Sequence, residues 1–234
     1  MLEVKNISKK YGSQAAVKDV SFSIGRGEIV GFLGPNGAGK STALKLIAGS
    51  LPVDSGSVVI SGYDLQCDPL KAKARIGYLP ENNPLYDDMY VAEYLDYTAG
   101  LYLLDNRKAR VAEIIRQTGL QPEAYKKIEQ LSKGYRQRVG LAQALIHQPE
   151  VLILDEPSSG LDPNQTDEIN RLLLSLQPEK VILFSSHTLS EVATVCTRIL
   201  FIHQGEIVAD LPRNEIEDLE ILFKELTYPS LRTQ

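Results

Sequence analysis

The sequence predicts an α/β domain in which two strand-rich halves flank an inserted helical segment. Three observations carry that expectation. A short apolar run at residues 28–33 (EIVGFL) leads into a glycine-rich loop at 34–41 (GPNGAGKS), and an amphipathic stretch follows. A second apolar run at 151–154 (VLIL) ends in Asp155 and Glu156. Between the two, from about residue 91 to 119, the apolar spacing changes from a strand period to a helix period.

Each element has its own reason. Leu2, Val4 and Ile7, then Val20, Phe22 and Ile24, suggest two half-buried strands. The near-continuous apolar run 28–33 suits a strand covered on both faces of a parallel sheet. Leu44, Ile47 and Ala48 fall at helical spacing, and Gly49 stands as a stop. Residues 58–60 and 75–79 read as further strands, and 80–84 (PENNP) as a loop. Tyr90, Tyr94 and Tyr97, then Val111, Ile114 and Ile115, make two amphipathic stripes. The tyrosine stripe is expected in the core of the helical part. Another helix is expected over about 135–147, stopped by Pro149. Strands return at 151–154, 181–185, 199–202 and 206–209, the last two flanking a Gln204-Gly205 hairpin turn. From Glu215 the tail is acidic and helical in pattern, with Ile216, Leu219 and Leu222 on one side. No repeat or linker interrupts the 234 residues, so a single domain is expected. Residues 1–80 and 150–234 would form its core and 81–149 a helical subdomain.

Composition narrows the function classes. The net charge of −5 disfavours generic nucleic-acid binding, which needs a positive surface to displace counterions. The two cysteines, Cys67 and Cys196, have no metal-ligand spacing and make no disulfide framework, so a reducing compartment is expected. The first twelve residues alternate like a strand and hold no apolar core of a secretory signal. No apolar run reaches the roughly 18 residues of a membrane helix. Any membrane channel this protein serves must come from another chain.

The loop Gly34, Pro35, Asn36, Gly37, Ala38, Gly39, Lys40, Ser41 fits the spacing of a phosphate cradle. Glycines let backbone N–H groups wrap phosphates that a Cβ would strike, and the next helix adds its positive end. Lys40 is placed for β- and γ-phosphate oxygens, the Ser41 hydroxyl for Mg²⁺, and Thr42 for the α/β region. Asp155 ends a buried strand where ligands of open α/β sheets bind, so it is expected to hold Mg²⁺ through water. Glu156 is placed to take a proton from an attacking water. A third element, LSKGY (Leu131, Ser132, Lys133, Gly134, Tyr135), lies at a helix start. Its hydroxyl, backbone N–H groups and helix dipole make a second phosphate-binding end.

At LSKGYRQRVGLAQAL the chain resembles the nucleotide-binding subunits of ABC transporters, whose signature is LSGGQ. The resemblance covers essentially the whole chain, with every family element in order. It implies a P-loop NTPase (RecA-like) core with an antiparallel β subdomain and an α-helical subdomain carrying the signature. It also implies ATP and Mg²⁺ as cofactors. Tyr11 stands where the family stacks an aromatic on adenine. Ser159, Gly160, Leu161 and Asp162 match the D-loop, and His187 matches the switch histidine at the γ-phosphate. By resemblance, the signature of one subunit covers ATP held by the other, giving a homodimer closed by two ATP molecules. An integral membrane permease on a separate chain is the implied partner, with no nucleic acid. The implied location is cytoplasmic, peripheral on the inner face of the cytoplasmic membrane.

Three positions depart from the common pattern. Glu81 replaces the Q-loop glutamine; it can still reach Mg²⁺ through oxygen, but it adds charge and loses an amide donor. Lys133 replaces a glycine and Tyr135 a glutamine. Lys133 either brings positive charge to the partner's γ-phosphate or faces solvent. YLPE and LSKGYRQR resemble the ABC-2 type exporters, and residues 76–95 resemble the gliding-motility ATP-binding subunit of Bacteroidetes. The alternative is a soluble ABC ATPase acting on the ribosome or DNA. Such proteins carry paired cassettes or long coiled coils, which this chain lacks. A degenerate, inactive module is disfavoured by the intact Lys40, Asp155, Glu156 and His187.

Overall fold

A computed structural model describes residues 1–227 and arranges them around two sheets. In chain order the elements begin with strands β1 (Leu2–Tyr11), β2 (Gln14–Ile24) and β3 (Ile29–Leu33), then helix α1 (Lys40–Ile47). Strands β4 (Ser55–Ile60) and β5 (Tyr63–Asp64), the short helix α2 (Pro69–Lys73) and strand β6 (Ile76–Leu79) follow. Helices α3 (Val91–Leu101), α4 (Arg107–Gln117) and α5 (Lys133–Leu145) make up the helical segment. The chain continues with β7 (Val151–Asp155), α6 (Pro163–Leu176), β8 (Val181–Ser186) and α7 (Leu189–Val195). It closes with β9 (Arg198–His203), β10 (Glu206–Pro212) and α8 (Leu219–Thr227).

The larger sheet has the order β10-β9-β3-β8-β7-β6, parallel except for the β9–β10 hairpin. The smaller, antiparallel sheet has the order β2-β1-β4-β5. The apolar runs are continuous because the larger sheet is covered on both faces. Val30, Phe32, Val151 and Ile153 face one core with α1 and the smaller sheet. Ile29, Leu33, Leu152 and Leu154 face the other, with the helices α3 to α7. Burying a side chain such as Phe32 contributes roughly 1.5–3 kcal/mol. This is the α/β P-loop architecture expected, with its antiparallel subdomain and inserted helices.

Three local expectations need correction. Of the tyrosine stripe, only Tyr94 is core; Tyr90 and Tyr97 are 48% and 45% exposed. Tyr90 lies before α3 in extended backbone, so it falls outside the helical period, and Tyr97 sits at the rim with Tyr86 edge-on to it. Helix α5 starts at Lys133, not 135, because Ser132 caps it, and it ends at Leu145, before Pro149. The tail turns through Arg213–Glu215 and becomes α-helical only at Leu219, so Ile216 precedes the helix. The rest of the predicted tail, residues 228–234, lies outside the described residues.

Candidate functional site

The loop 34–41 is shaped by contacts from far along the chain. Gly37 and Gly39 have φ of 78° and 105°, conformations that glycine adopts without penalty. A Cβ on Gly39 would strike the Ala16 carbonyl of β2. The tip of the β9–β10 hairpin closes over the same loop: Gly205 N–H donates to the Ala38 carbonyl at 2.9 Å. Lys18 N–H donates in turn to Gly205 at 2.8 Å. No side chain caps α1 behind Gly39, so its positive end is left to a ligand.

Lys40 is 7% exposed, and its ammonium donates to the carbonyls of Gly34 at 2.7 Å and Pro35 at 3.2 Å. Burial lowers its pKa, an effect partly offset by the carboxylates of Glu156, Asp155 and Glu81. Its ammonium is thus held at the start of the loop 34–41, within electrostatic reach of three carboxylates.

Asp155 closes β7 and is 1% exposed. Its Oδ1 accepts from Ser41 Oγ at 3.1 Å and from Ser185 Oγ at 2.7 Å. Its Oδ2 is buried with no partner among the described residues. Burying a carboxylate oxygen unpaired is costly, so the site is built for a further ligand. The donors are a hydroxyl, a carboxylate and, lining the same cleft, Glu81: hard oxygens that fit Mg²⁺. Among the described residues no cluster of three His, Cys, Asp or Glu forms an all-protein cage.

Glu156 follows with φ of 52°, a left-handed conformation unusual outside glycine. Its N–H donates to Ser185 Oγ at 3.0 Å, which helps hold the turn. Its Oε2 accepts from His187 Nδ1 at 2.7 Å. Two residues read separately in the sequence are therefore one pair. Ser185, for which the sequence suggests no role, holds both Asp155 and Glu156. Its signal was slight: a hydroxyl ending an otherwise apolar strand, VILFSS.

A cleft of about 690 Å³ opens beside these groups. Its lining includes Tyr11, Lys18, Lys40, Glu81, Glu156 and Gln204. Tyr11 arrives at the end of β1, half exposed. The segment 131–135 does not line the cleft. Ser132 caps α5 by accepting from Tyr135 N–H at 3.4 Å, Leu131 is buried, and Gly134 packs under the Gln165 side chain. Lys133 is largely exposed, and its ammonium lies over Gly160 of its own chain. Asp162 caps α6, accepting from Gln165 N–H at 2.9 Å, and Ser159 and Leu161 lie in the turn before it. Glu81 also lines a second cavity of about 440 Å³ with Lys133 and Arg136. That cavity joins the Q-loop to the start of α5. Asn83 Nδ2 donates to the Arg136 carbonyl at 2.8 Å, and Arg136 pairs with Asp87 at 2.6 Å.

Residues 17–159 match the family model for ABC transporters. The linearmycin resistance ATP-binding protein LnrL of Bacillus subtilis is 40% identical over 212 residues, covering 89% of this chain and 68% of LnrL. The ABC transporter ATP-binding protein NatA of the same organism is 40% identical over 197 residues, covering 82% of this chain and 80% of NatA. Among solved structures, the dimeric ATP-binding cassette MJ0796, in a post-hydrolysis state bound to ADP and Pi, superposes with a TM-score of 0.84. It is 26% identical, and the match covers 91% of this chain and 99% of that one.

Proposed function

Because this chain belongs to the ABC transporter family as an ATP-binding, ATP-hydrolysing subunit, we propose that it binds MgATP as a homodimer and drives a separate integral membrane permease. In this reading Tyr11 stacks on adenine. The backbone of Gly34 to Gly39, with Lys40, Ser41 and Thr42, takes the phosphates. Ser41, Asp155 and Glu81 are the residues that would hold Mg²⁺, which when bound would supply positive charge for the transferred phosphoryl group. Glu156 orients the attacking water and takes its proton as the oxygen bonds to the γ-phosphorus and the bond to ADP breaks. His187, paired to Glu156 through Nδ1, steadies γ-phosphate charge with the rest of its ring.

One observation carries the dimer. The chain builds two helix ends suited to phosphate, and only one of them lines its own cleft. Leu131, Ser132, Lys133, Gly134 and Tyr135 then serve the ATP of a second copy, and the D-loop residues Ser159, Gly160, Leu161 and Asp162 lie along that shared face. The dimeric state of the MJ0796 cassette supports the same arrangement. Closure around ATP moves the permease, and hydrolysis resets it. The YLPE and LSKGYRQR segments support the reading of ABC-2 type export, and the resemblance of residues 76–95 supports a gliding-motility association. Among the described residues no helix is long and apolar enough to cross a membrane. The position that goes with a separate permease is peripheral, on the inner face of the cytoplasmic membrane. Nucleic acid is not a partner in this reading.

Mixing two inactive chains tests the composite site. Lys40→Ala spoils a subunit's own cleft and Ser132→Arg spoils the end it offers its partner. A mixed dimer keeps one intact site, so ATPase activity returns on mixing. No recovery argues that each chain completes its own site. Affinity purification from the native membrane should recover a polytopic permease, and recovery with ribosomes or DNA would favour the soluble alternative.

A further inference from the structure

Glu191 is a carboxylate the mechanism above does not use. It lies in the first turn of α7, is 3% exposed, and does not line the nucleotide cleft. Its two oxygens accept from two different segments, the end of β8 and the turn after β7. Oε2 takes the Ser186 hydroxyl at 2.7 Å, and Oε1 takes the Ser158 hydroxyl at 2.6 Å. Ser186 Oγ also accepts from Thr188 N–H at 2.9 Å, so its position defines the turn that carries His187. Ser158 stands two residues after Glu156, in a turn where Ser159 N–H donates to the Glu156 carbonyl at 3.1 Å and Leu161 N–H to the Ser158 carbonyl at 3.1 Å.

We propose that Glu191 is a positioning residue that locks the His187 turn to the Glu156–Ser158 turn and so sets the Glu156–His187 pair for hydrolysis. The proposal rests on the reading of the cleft as an ATPase site. Leaving a buried carboxylate oxygen unbonded is costly, and here satisfying both oxygens requires the end of β8 and the turn after β7 to be in place together. If either segment shifts, a buried oxygen loses its donor, so the two turns move together or not at all. The lever also reaches the D-loop, because Ser158 leads directly into Ser159 and Gly160. Contact with the D-loop of one chain is thereby tied to the geometry of its own Glu156 and His187.

The test is a double-mutant cycle on two serines that share Glu191. Ser158→Ala and Ser186→Ala are each expected to lower kcat about 3- to 10-fold, with KM for MgATP within about twofold. The double variant is expected to fall no further than the worse single variant, because breaking either arm already uncouples the turns. Glu191→Ala is expected to lose about tenfold or more in kcat, and Glu191→Gln, which can bond both hydroxyls, to recover to within about threefold. If Glu191→Ala does not fold, the serine cycle decides alone. Serine effects that multiply, or losses that appear in KM instead of kcat, would overturn the coupling. A wild-type chain that turns over no MgATP would overturn the hydrolytic reading and this proposal with it, an outcome distinct from an active wild type with independent serines.

Discussion

Helices α1 and α5 both begin at a glycine-bearing turn suited to anions, but the chain furnishes the two ends differently. The start of α1 has no side-chain cap, a buried lysine one residue on, and a serine tied to a buried aspartate. Its loop is pinned from outside by Ala16 and by the hairpin tip at Gly205. The start of α5 carries its own cap in Ser132 and exposes Lys133. It is fixed instead to its surroundings, by Asp87 on Arg136 and by the ion pair of Arg138 with Glu168. One end faces its own cleft with donors unspent, and the other stands outside it. This contrast is what the proposed composite site would need, with the α1 side supplying the chemistry and the α5 side completing the site from a second copy.

Four substitutions test that contrast, and the largest effect belongs to the α1 side. Glu156→Gln should cut kcat by about 10²–10⁴-fold while MgATP still binds; steady-state turnover and equilibrium binding on the same sample check both halves. Ser132→Arg should bring turnover down by at least about 10²-fold, yet leave nucleotide affinity of the single subunit within about twofold. Loss of affinity in that variant would place the α5 end inside its own cleft. Glu81→Gln keeps a carbonyl oxygen towards Mg²⁺ and removes a charge beside Lys40, so ATPase activity should shift by no more than a few-fold; a total loss would give the carboxylate a specific chemical role.

The smallest effect tests how α5 is anchored at its other end. His147, just beyond the helix, bonds through Nε2 to the Ile76 carbonyl at 2.9 Å and stacks on Tyr102. Burial pushes its pKa down to about 4 from 6.5, with the Ile76 bond opposing. Between those values the unfolded chain takes up a proton that the folded chain refuses, so stability is full above pH 6.5 and declines as pH falls towards 4. The cost is on the order of 1–3 kcal/mol. Thermal melts at pH 7.5 and 5 should show a smaller drop for His147→Gln than for wild type, with ATPase activity at pH 7.5 changed less than for any site variant.

The α1 side was legible in the sequence because its parts are local. A strand, a glycine loop and a helix follow one another, and an apolar run delivers Asp155 and Glu156 together. What supports them was not legible, since the contacts cross long stretches of chain. Ser185 meets Asp155 from 30 residues away, and Gly205 closes a loop that begins at Gly34. The tyrosines failed for another reason. Spacing tells neither where a helix starts nor how far its face is covered, so Tyr90 falls before α3 and Tyr97 at its rim, while Tyr94 goes inside.

Sedimentation of the Glu156→Gln chain with MgATP tests the divided site most directly. An ATP-dependent dimer is expected, which Ser132→Arg, added to the same chain, returns to monomer without releasing nucleotide. A Glu156→Gln chain that stays monomeric with MgATP bound, or a dimer indifferent to Ser132→Arg, would contradict it.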